Sequence, residues 1–159
     1  MKVSAFYKLY LKYPEITTDN RKVSENSIFF ALKGDRFDGN TFAESALKAG
    51  AKYAVIDHPD YVIDNRTILV ENALKYLQNL AQYHRKQFQI PLIAITGTNG
   101  KTTTKELMHA VLSEKYNVGY TQGNLNNHIG VPLTLLSLSD ETDIAVIEMG
   151  ANHRGEIAL

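Results

Sequence analysis

The chain has 159 residues, enough for one ordinary domain or two small ones. Lysine plus arginine number 17, as do aspartate plus glutamate, so no net charge attracts nucleic acid or a membrane surface. The absence of cysteine excludes a disulfide framework and a thiolate metal site. Lysines interrupt the segment from Met1 to Asn20, which lacks the apolar core of a signal peptide, and no apolar run is long enough to span a bilayer. We therefore expect a soluble cytoplasmic protein.

The first half of the chain predicts a small α/β unit. Short β-rich runs are separated by polar, turn-rich stretches, and they lie at Ile28–Leu32, Tyr53–Ile56 and Ile68–Val70. A short amphipathic helix is predicted over Phe42–Lys48, with Gly50 as its stop. A second helix is predicted over Ala73–Gln87, with Asn72 as its cap.

The pattern after Pro91 becomes strand, loop and helix in alternation, which predicts a parallel sheet. The predicted strands are Leu92–Thr96, Asn117–Tyr120 and Asp143–Glu148, and the predicted helices are Thr102–Glu114 and Pro132–Leu138. Continuous apolar runs in the first and third strands are typical of central strands covered on both faces. We assign residues 1–88 to one domain and 91–159 to a second, with the boundary at Gln87–Pro91. We expect the second domain to be truncated, because it holds few elements to cover such a sheet.

The loop that enters the first helix of this second domain has the residues of a triphosphate cradle. Glycines let backbone N–H groups turn toward phosphate oxygens, Lys101 can reach the outer phosphates, and the Thr102 hydroxyl can ligate Mg²⁺. Only G-x-x-G-K-T of the longer pattern is present, since Ile95 stands where the first glycine would be. A glycine turn with a solvated lysine is the alternative. The candidate ATP-binding residues are Gly97, Thr98, Asn99, Gly100, Lys101, Thr102 and Thr103.

Two further segments are predicted at the same edge of the sheet. Glu148 ends an apolar strand, where a carboxylate can hold Mg²⁺; a side chain that points to solvent is the alternative. The loop over residues 122–132 concentrates amides and glycines, which favours ligand contact, although a plain turn also explains them. His128 and His153 could bind metal or transfer protons, but no paired cysteine or spaced histidine motif accompanies them.

These motifs resemble the Mur ligases of peptidoglycan synthesis, over nearly the whole chain. The segments that carry the resemblance are Thr18–Arg21, Phe29–Gly39, Ala49–Ala51, Gly97–Thr102, Gly123–Pro132 and Glu148–Ile157. The phosphate loop alone is shared with folylpolyglutamate synthases. The asparagine loop and the Glu148 segment favour the branch of the family that adds D-alanyl-D-alanine.

The resemblance implies an amino-terminal UDP-binding domain, a central ATPase domain and a carboxyl-terminal Rossmann-like domain. This chain would hold the first and the opening of the second, so we expect a fragment that is inactive alone. The implied enzyme is an ATP-dependent ligase with ATP and Mg²⁺ as cofactors and UDP-N-acetylmuramoyl-tripeptide and D-alanyl-D-alanine as substrates. It forms an acyl phosphate before the amide. The sequence does not reveal a protein partner.

The resemblance also implies roles for individual residues. Lys101 would bind the β and γ phosphates and act in catalysis with Glu148, and Thr102 and Glu148 would hold Mg²⁺. The implied substrate-binding residues are Asp19, Asn20, Arg21, Lys33, Gly34, Asp38, Asn124, Asn126 and Asn127. Asn20 departs from the serine or threonine that is frequent at its position.

Plainer interpretations remain open at this stage. Asp19 with Arg21 can be a turn salt bridge, and Lys33 to Asp35 can be a hairpin corner. A folylpolyglutamate-type ligase would share the phosphate loop, and a non-catalytic nucleotide-binding module would share the fold.

Overall fold

Two parallel β-sheets organise the fold, one in each half of the chain. The computed structural model describes residues 1–34 and 37–150, and the chain divides into two units, Met1–Leu80 and Ala81–Leu159. The strands are β1 (Ile16–Thr17), β2 (Ile28–Phe30), β3 (Lys33–Gly34), β4 (Phe37–Asp38), β5 (Tyr53–Ile56), β6 (Thr67–Leu69), β7 (Leu92–Ile95), β8 (Val118–Tyr120) and β9 (Ile144–Glu148). The helices are α1 (Val3–Lys12), α2 (Ala43–Lys48), α3 (Ala73–Arg85), α4 (Lys101–Ser113) and α5 (Gly130–Leu136).

The first unit contains a parallel sheet with the strand order β1-β2-β5-β6, which confirms the predicted α/β class. Successive side chains of a strand point to opposite faces. Phe29 and Ile56 therefore join a buried cluster with the alanines of α2. Phe30 points the other way, where Phe6 of α1 meets its ring edge-on at 6.0 Å between centroids. The ring of Phe6 also meets Tyr76 of α3 edge-on, at 5.3 Å.

The predicted helix signals of this unit are confirmed. Asn72 caps α3, because the backbone N–H of Lys75 donates a hydrogen bond to Asn72 Oδ1 at 2.7 Å. Gly50 follows α2 with a φ of +116°, a conformation that side chains other than hydrogen disfavour. Helix α1 and strand β1 have no counterpart among the predicted elements. The antiparallel pair β3 and β4 lies where the sequence offers a hairpin corner at Lys33 as an alternative.

The second unit contains a parallel sheet with the strand order β7-β9-β8, as the alternating pattern predicts. Ala145 and Ile147 of β9 pack in a cluster that includes Val131 and Leu135 of the α5 segment. Because side chains alternate along a strand, Glu148 lies on the opposite face, toward α4. The strand ends, the loop after β7 and the start of α4 therefore meet at one edge of the sheet.

Two predictions about this unit need correction. The predicted strand Leu92–Thr96 is expected to be central, but β9 lies between β7 and β8, so β7 pairs only with β9 in the described part of the chain. Its residue Ala94 is exposed. Helix α5 begins at Gly130 rather than at Pro132, because Asn127 Oδ1 accepts hydrogen bonds from the N–H groups of Ile129 and Gly130.

The domain assignment stays a prediction. The two units divide between Leu80 and Ala81, inside α3, whereas the sequence pattern predicts the boundary at Gln87–Pro91. Over the described ranges, none of the helices has the length and apolar character needed to cross a bilayer.

Candidate nucleotide-binding site

The phosphate loop lies between β7 and α4 and is exposed from Thr96 to Gly100. Gly97 has a φ of +142° and Gly100 a φ of +76°, both in the region that favours glycine. A Cβ added at either position would have no atom within 4 Å. Glycine is therefore required for the backbone conformation, and the space in front of the loop is open to a ligand. The 13-residue helix α4 adds the positive end of its dipole at the same place.

Lys101 is the first residue of α4, and its side chain folds back along the loop. Its Nζ donates a hydrogen bond to the carbonyl oxygen of Gly97 at 2.7 Å. The ammonium group thus lies beside the loop backbone, where it could contact a phosphate bound in the loop, as the phosphate-cradle prediction requires. Thr98, Asn99 and Thr103 are exposed around it, in line with their prediction as phosphate-loop residues.

Glu148 is buried at the end of β9, with 1% of its surface exposed. Its Oε1 accepts hydrogen bonds from the hydroxyl of Thr102 at 3.1 Å and from Asn126 Nδ2 at 2.7 Å. Its backbone N–H donates to Thr121 Oγ1 at 2.9 Å. The structure therefore brings together the two residues predicted to hold Mg²⁺ and one predicted asparagine. The alternative of a side chain pointing to solvent is wrong.

The second carboxylate oxygen of Glu148 is the observation that bears on a metal. Glu148 Oε2 is buried, and no residue in the described ranges gives it a hydrogen bond. A buried acceptor without a donor is costly, and a cation satisfies it. Among the described residues no group of three or more histidine, cysteine or acidic side chains could hold a metal. Thr102 and Glu148 offer hard oxygen ligands of the kind that Mg²⁺ prefers, so these two residues would hold it.

The three asparagines of the loop between β8 and α5 have different surroundings. Asn126 contacts Glu148, and its carbonyl oxygen accepts a hydrogen bond from the Gly150 N–H at 2.6 Å. Asn127 uses its side-chain oxygen to cap α5. Asn124 is exposed, and its carbonyl oxygen accepts from the Asn126 N–H at 2.7 Å. Of the three, Asn126 is the one whose side chain bonds Glu148 in the described part of the chain, and a role for all three in ligand binding stays a prediction.

Gly130 explains how the loop passes so close to α5. A Cβ at this position would lie 2.4 Å from the carbonyl carbon of Leu125, a distance that no side chain tolerates. His128 is half-buried beside it. His153 and the rest of the segment after Gly150 lie outside the described residues.

Lys105 is a residue that sequence analysis missed. It is fully buried, and its Nζ lies 3.0 Å from the carbonyl oxygen of Gly123, 2.9 Å from Glu106 Oε1 and 3.9 Å from Glu148 Oε2. The signal available in the sequence was its spacing from Lys101, since residues four apart share a helix face.

The predicted substrate residues of the first unit fall into two groups. Asp19 begins a short 3-10 turn at Asn20 and binds Arg21 through both carboxylate oxygens, at 2.9 Å from Nε and 2.7 Å from Nη2. The Arg21 guanidinium holds the pKa of Asp19 at about 2. The turn salt bridge is therefore formed, and the role of these residues in binding a substrate stays a prediction.

The second group surrounds the β3–β4 pair. Lys33 Nζ lies 4.0 Å from Asp38 Oδ2 and 3.1 Å from Asp57 Oδ1. The buried Asn40 bridges the two carboxylates, with Nδ2 2.6 Å from Asp38 Oδ1 and 2.9 Å from Asp57 Oδ1. Burial opposes ionisation of Asp57, but the bonds from Asn40, the Ala73 N–H and Lys33 outweigh it and lower its pKa. Asn40 and Asp57 are further residues that the sequence did not single out.

Gly34 and Gly39 complete this corner. Gly34 pairs with Phe37 across the strands, and a Cβ at Gly34 would meet the Phe37 ring. A Cβ at Gly39 would lie 2.4 Å from the Leu32 carbonyl oxygen. A cavity of about 530 Å³ opens at the same edge of the sheet, and its walls include Asp57, Leu69 and Tyr76.

A glycine loop with a lysine, a threonine and a buried carboxylate at the carboxyl edge of a parallel sheet defines a phosphate-binding α/β protein. Comparison with known protein families shows which family of phosphate-binding proteins the chain resembles. The description "Mur ligase family, catalytic domain" matches residues 12–96, and "Mur ligase middle domain" matches residues 95–159. The chain belongs to the Mur ligase family.

Individual relatives agree with this membership. The UDP-N-acetylmuramoyl-tripeptide--D-alanyl-D-alanine ligase of Bacillus subtilis is 45% identical over 91% of this chain and 32% of its own length. The Escherichia coli enzyme of the same name is 47% identical over 90% of this chain and 31% of its own length. A solved MurF ligase from Thermotoga maritima in complex with ADP has a TM-score of 0.83 and 36% identity, over 93% of this chain and 34% of that one. The chain therefore spans about a third of the length of these relatives.

Proposed function

We propose that the full-length protein is an ATP-dependent ligase that joins D-alanyl-D-alanine to UDP-N-acetylmuramoyl-tripeptide in peptidoglycan synthesis. The observation that carries the proposal is the hydrogen bond of Thr102 to Glu148 beside the Lys101 loop, where the other, buried oxygen of Glu148 has no donor among the described residues. The relatives' names supply the substrates, and the ADP complex of one relative supports ATP as the phosphoryl donor. A location in the cytoplasm follows from the use of ATP.

We assign different parts of the reaction to the two halves of the chain. Residues 91–159 would begin the ATP-binding domain, in which Gly97 to Thr103 surround the phosphates. Residues 1–88 would bind the UDP-sugar, through the Asp19–Arg21 turn and the corner formed by Lys33, Gly34 and Asp38. The support for the second assignment is membership of the Mur ligase family over residues 12–96, together with the half-exposed Lys33 ammonium, which can bind a diphosphate oxygen.

The proposed reaction has two steps. A carboxylate oxygen of the tripeptide attacks the γ-phosphorus of ATP, the bond to the β-phosphate oxygen breaks, and ADP leaves. The amine of D-alanyl-D-alanine then attacks the acyl carbon, phosphate leaves with the electrons of the broken C–O bond, and the new amide loses a proton. The products are an amide, ADP and phosphate.

This chain's residues act mainly in the first step. Loop N–H groups and the Lys101 ammonium hold the outer phosphates and offset the charge that spreads over the migrating phosphoryl group. Thr102 and Glu148 would hold Mg²⁺, which supplies further charge neutralisation when bound. Asn126 keeps Glu148 Oε1 occupied, so that Oε2 stays available. Holding the reactants in line is worth about 7 to 11 kcal/mol in well-oriented systems.

The test is a coupled assay of phosphate release by the purified full-length protein. We expect release to need ATP, Mg²⁺, UDP-N-acetylmuramoyl-tripeptide and D-alanyl-D-alanine together, and to stop when any one is omitted. A parallel reaction with a folate and glutamate should give no release. Release with the folate pair alone would assign the protein to the folylpolyglutamate type, and ATP binding without any release would favour a non-catalytic module.

A further inference from the structure

Lys105 is a charged side chain at a place where a helix normally buries apolar ones. It lies one turn after Lys101 on α4 and has 0% of its side chain exposed. Its Nζ contacts three oxygens from three segments: the Gly123 carbonyl of the asparagine loop, Glu106 of α4 and Glu148 at the end of β9. It also lies 5.8 Å from the centre of the Tyr120 ring.

Burying this ammonium is not explained by stability alone. A buried ion pair is often no more stabilising than a well-packed apolar pair, because desolvation offsets the attraction. A methionine would fill the same volume on α4 without that cost. The observation that calls for a function is that two of the three contacts, to the Gly123 carbonyl and to Glu148, join α4 to the segments that hold the Glu148 carboxylate.

The two oxygens of the Glu148 carboxylate have different neighbours. Oε1 is held by Thr102 and Asn126. Oε2 has no hydrogen-bond donor in the described ranges, and the Lys105 ammonium lies 3.9 Å from it. The distance is too long for a hydrogen bond, so Lys105 attracts the oxygen without occupying it. The same ammonium fixes Gly123, three residues before Asn126.

We propose that Lys105 is a positioning residue that keeps Glu148 inside the site and oriented for Mg²⁺. This inference rests on the proposed function of the phosphate loop. Without the lysine charge, Glu148 would be a buried carboxylate with no counter-charge, and turning toward solvent would relieve that cost. Asn126 would lose its anchor through Gly123 at the same time.

If Lys105 acted only by repelling Mg²⁺, its removal would change Mg²⁺ affinity in the opposite direction. The direction of that change therefore distinguishes the two explanations. A lysine beside a metal ligand repels Mg²⁺, so removing it would strengthen Mg²⁺ binding if repulsion dominated. If Lys105 positions Glu148, removing it weakens Mg²⁺-dependent binding. Loss of residues that orient a metal ligand commonly costs about 10- to 100-fold in metal affinity.

The experiment measures ADP binding to the full-length protein by calorimetry, once in Mg²⁺ and once in EDTA. The variants are Lys105→Met, Glu148→Gln and the double variant, with Lys115→Met as a control that removes an exposed lysine from the same unit. We expect Lys105→Met to weaken ADP binding about tenfold in Mg²⁺ and less than twofold in EDTA. Lys115→Met should match the unaltered protein in both solutions, and the double variant should be no weaker than Glu148→Gln.

Other outcomes overturn the inference. Equal weakening in Mg²⁺ and EDTA would mean a purely structural lysine, and tighter binding in Mg²⁺ would mean that repulsion dominates. If Lys105→Met does not fold, Lys105→Arg replaces it, because arginine retains the charge. A folded Arg variant that binds ADP equally well in Mg²⁺ and in EDTA contradicts the proposal. A folded Arg variant that still binds ADP more tightly in Mg²⁺ supports it. If the unaltered protein binds no ADP in either solution, the proposed function fails, and the inference fails with it.

Discussion

The charge on Lys101 is the residue-scale feature on which nucleotide chemistry most directly depends. Its ammonium lies 2.7 Å from the carbonyl oxygen of Gly97, on the loop that would surround the phosphates. A neutral side chain could keep the loop fold, since Gly97 and Gly100 set the backbone conformation. It could not offset the negative charge on a transferring phosphoryl group.

Lys101→Ala in the full-length protein should therefore lower turnover at least about 100-fold, because loss of a transition-state charge contact costs several kcal/mol. Steady-state phosphate release with both substrates present measures the effect. Lys115→Ala is the matched control, since it removes an exposed lysine just after the end of α4. Retention of more than about a tenth of the normal rate would contradict the phosphate-cradle assignment.

The residues around the loop show what a sequence can and cannot predict. Thr102 and Glu148 could be paired in advance, because a loop that follows one parallel strand and the end of another strand meet at the same sheet edge. For Lys105 the sequence offers only its spacing from Lys101, because the proximity of Lys105 to Glu148 comes from a distant strand. A lysine on an amphipathic helix normally extends to solvent. Asn127 was grouped with Asn126 on composition, although its side chain caps α5.

At the scale of elements, a helix or strand is predicted well when it is long enough to show its repeat of apolar and polar residues. Helix α4 and strand β9 match their predicted ranges to within one residue at each end. Strand β1 and the β3–β4 pair have two residues per strand, too few to display any period. In the described part of the chain β7 lies at an edge of the three-stranded sheet rather than at its centre. An apolar run predicts burial, whereas the order of strands depends on where later segments insert.

Helix α3 contributes a pH-dependent contact to the second unit. His84 is buried, its Nε2 lies 2.9 Å from the Leu138 carbonyl oxygen, and its ring meets Phe88 edge-on at 4.8 Å. Burial lowers the pKa of His84 below the usual 6.5, although the Leu138 carbonyl and Asp140 oppose that shift. The folded protein therefore excludes a proton that the unfolded chain binds.

The sign of the effect on stability follows from this difference in proton binding. Where the unfolded state binds more protons, the free energy of unfolding rises with pH. The contribution of His84 is thus complete above about pH 6.5 and is lost as pH falls from there toward the lower pKa of the folded state. Urea unfolding between pH 7.5 and 5 should show this loss, and His84→Gln should flatten the slope. His58→Gln, at a half-exposed histidine, should retain it; identical slopes for the His84 variant and the unaltered protein would contradict the assignment.

At the scale of the whole molecule, the chain offers two separate sheets, each with its own set of polar residues at a carboxyl edge. The first unit gathers Lys33, Asp38 and Asp57, and the second gathers Lys101, Thr102 and Glu148. Each set is built from contacts within its own unit. Two chemically different ligands should therefore perturb two different sets of residues.

An NMR titration of the isotopically labelled chain tests whether the two units bind different ligands. UDP-N-acetylmuramoyl-tripeptide should shift backbone resonances near Asn20, Lys33 and Asp38, because the first unit is proposed to bind the UDP moiety. ADP with Mg²⁺ should shift those from Gly97 to Thr103, because these residues are proposed to surround the phosphates. Lys33→Met should abolish the first response and leave the second intact, since the carboxylates that pair with Lys33 in the described part of the chain, Asp38 and Asp57, belong to its own unit. If the UDP-sugar shifts only residues beyond Pro91, the first unit does not bind it, and the proposed roles of Asp19 to Asp38 are wrong.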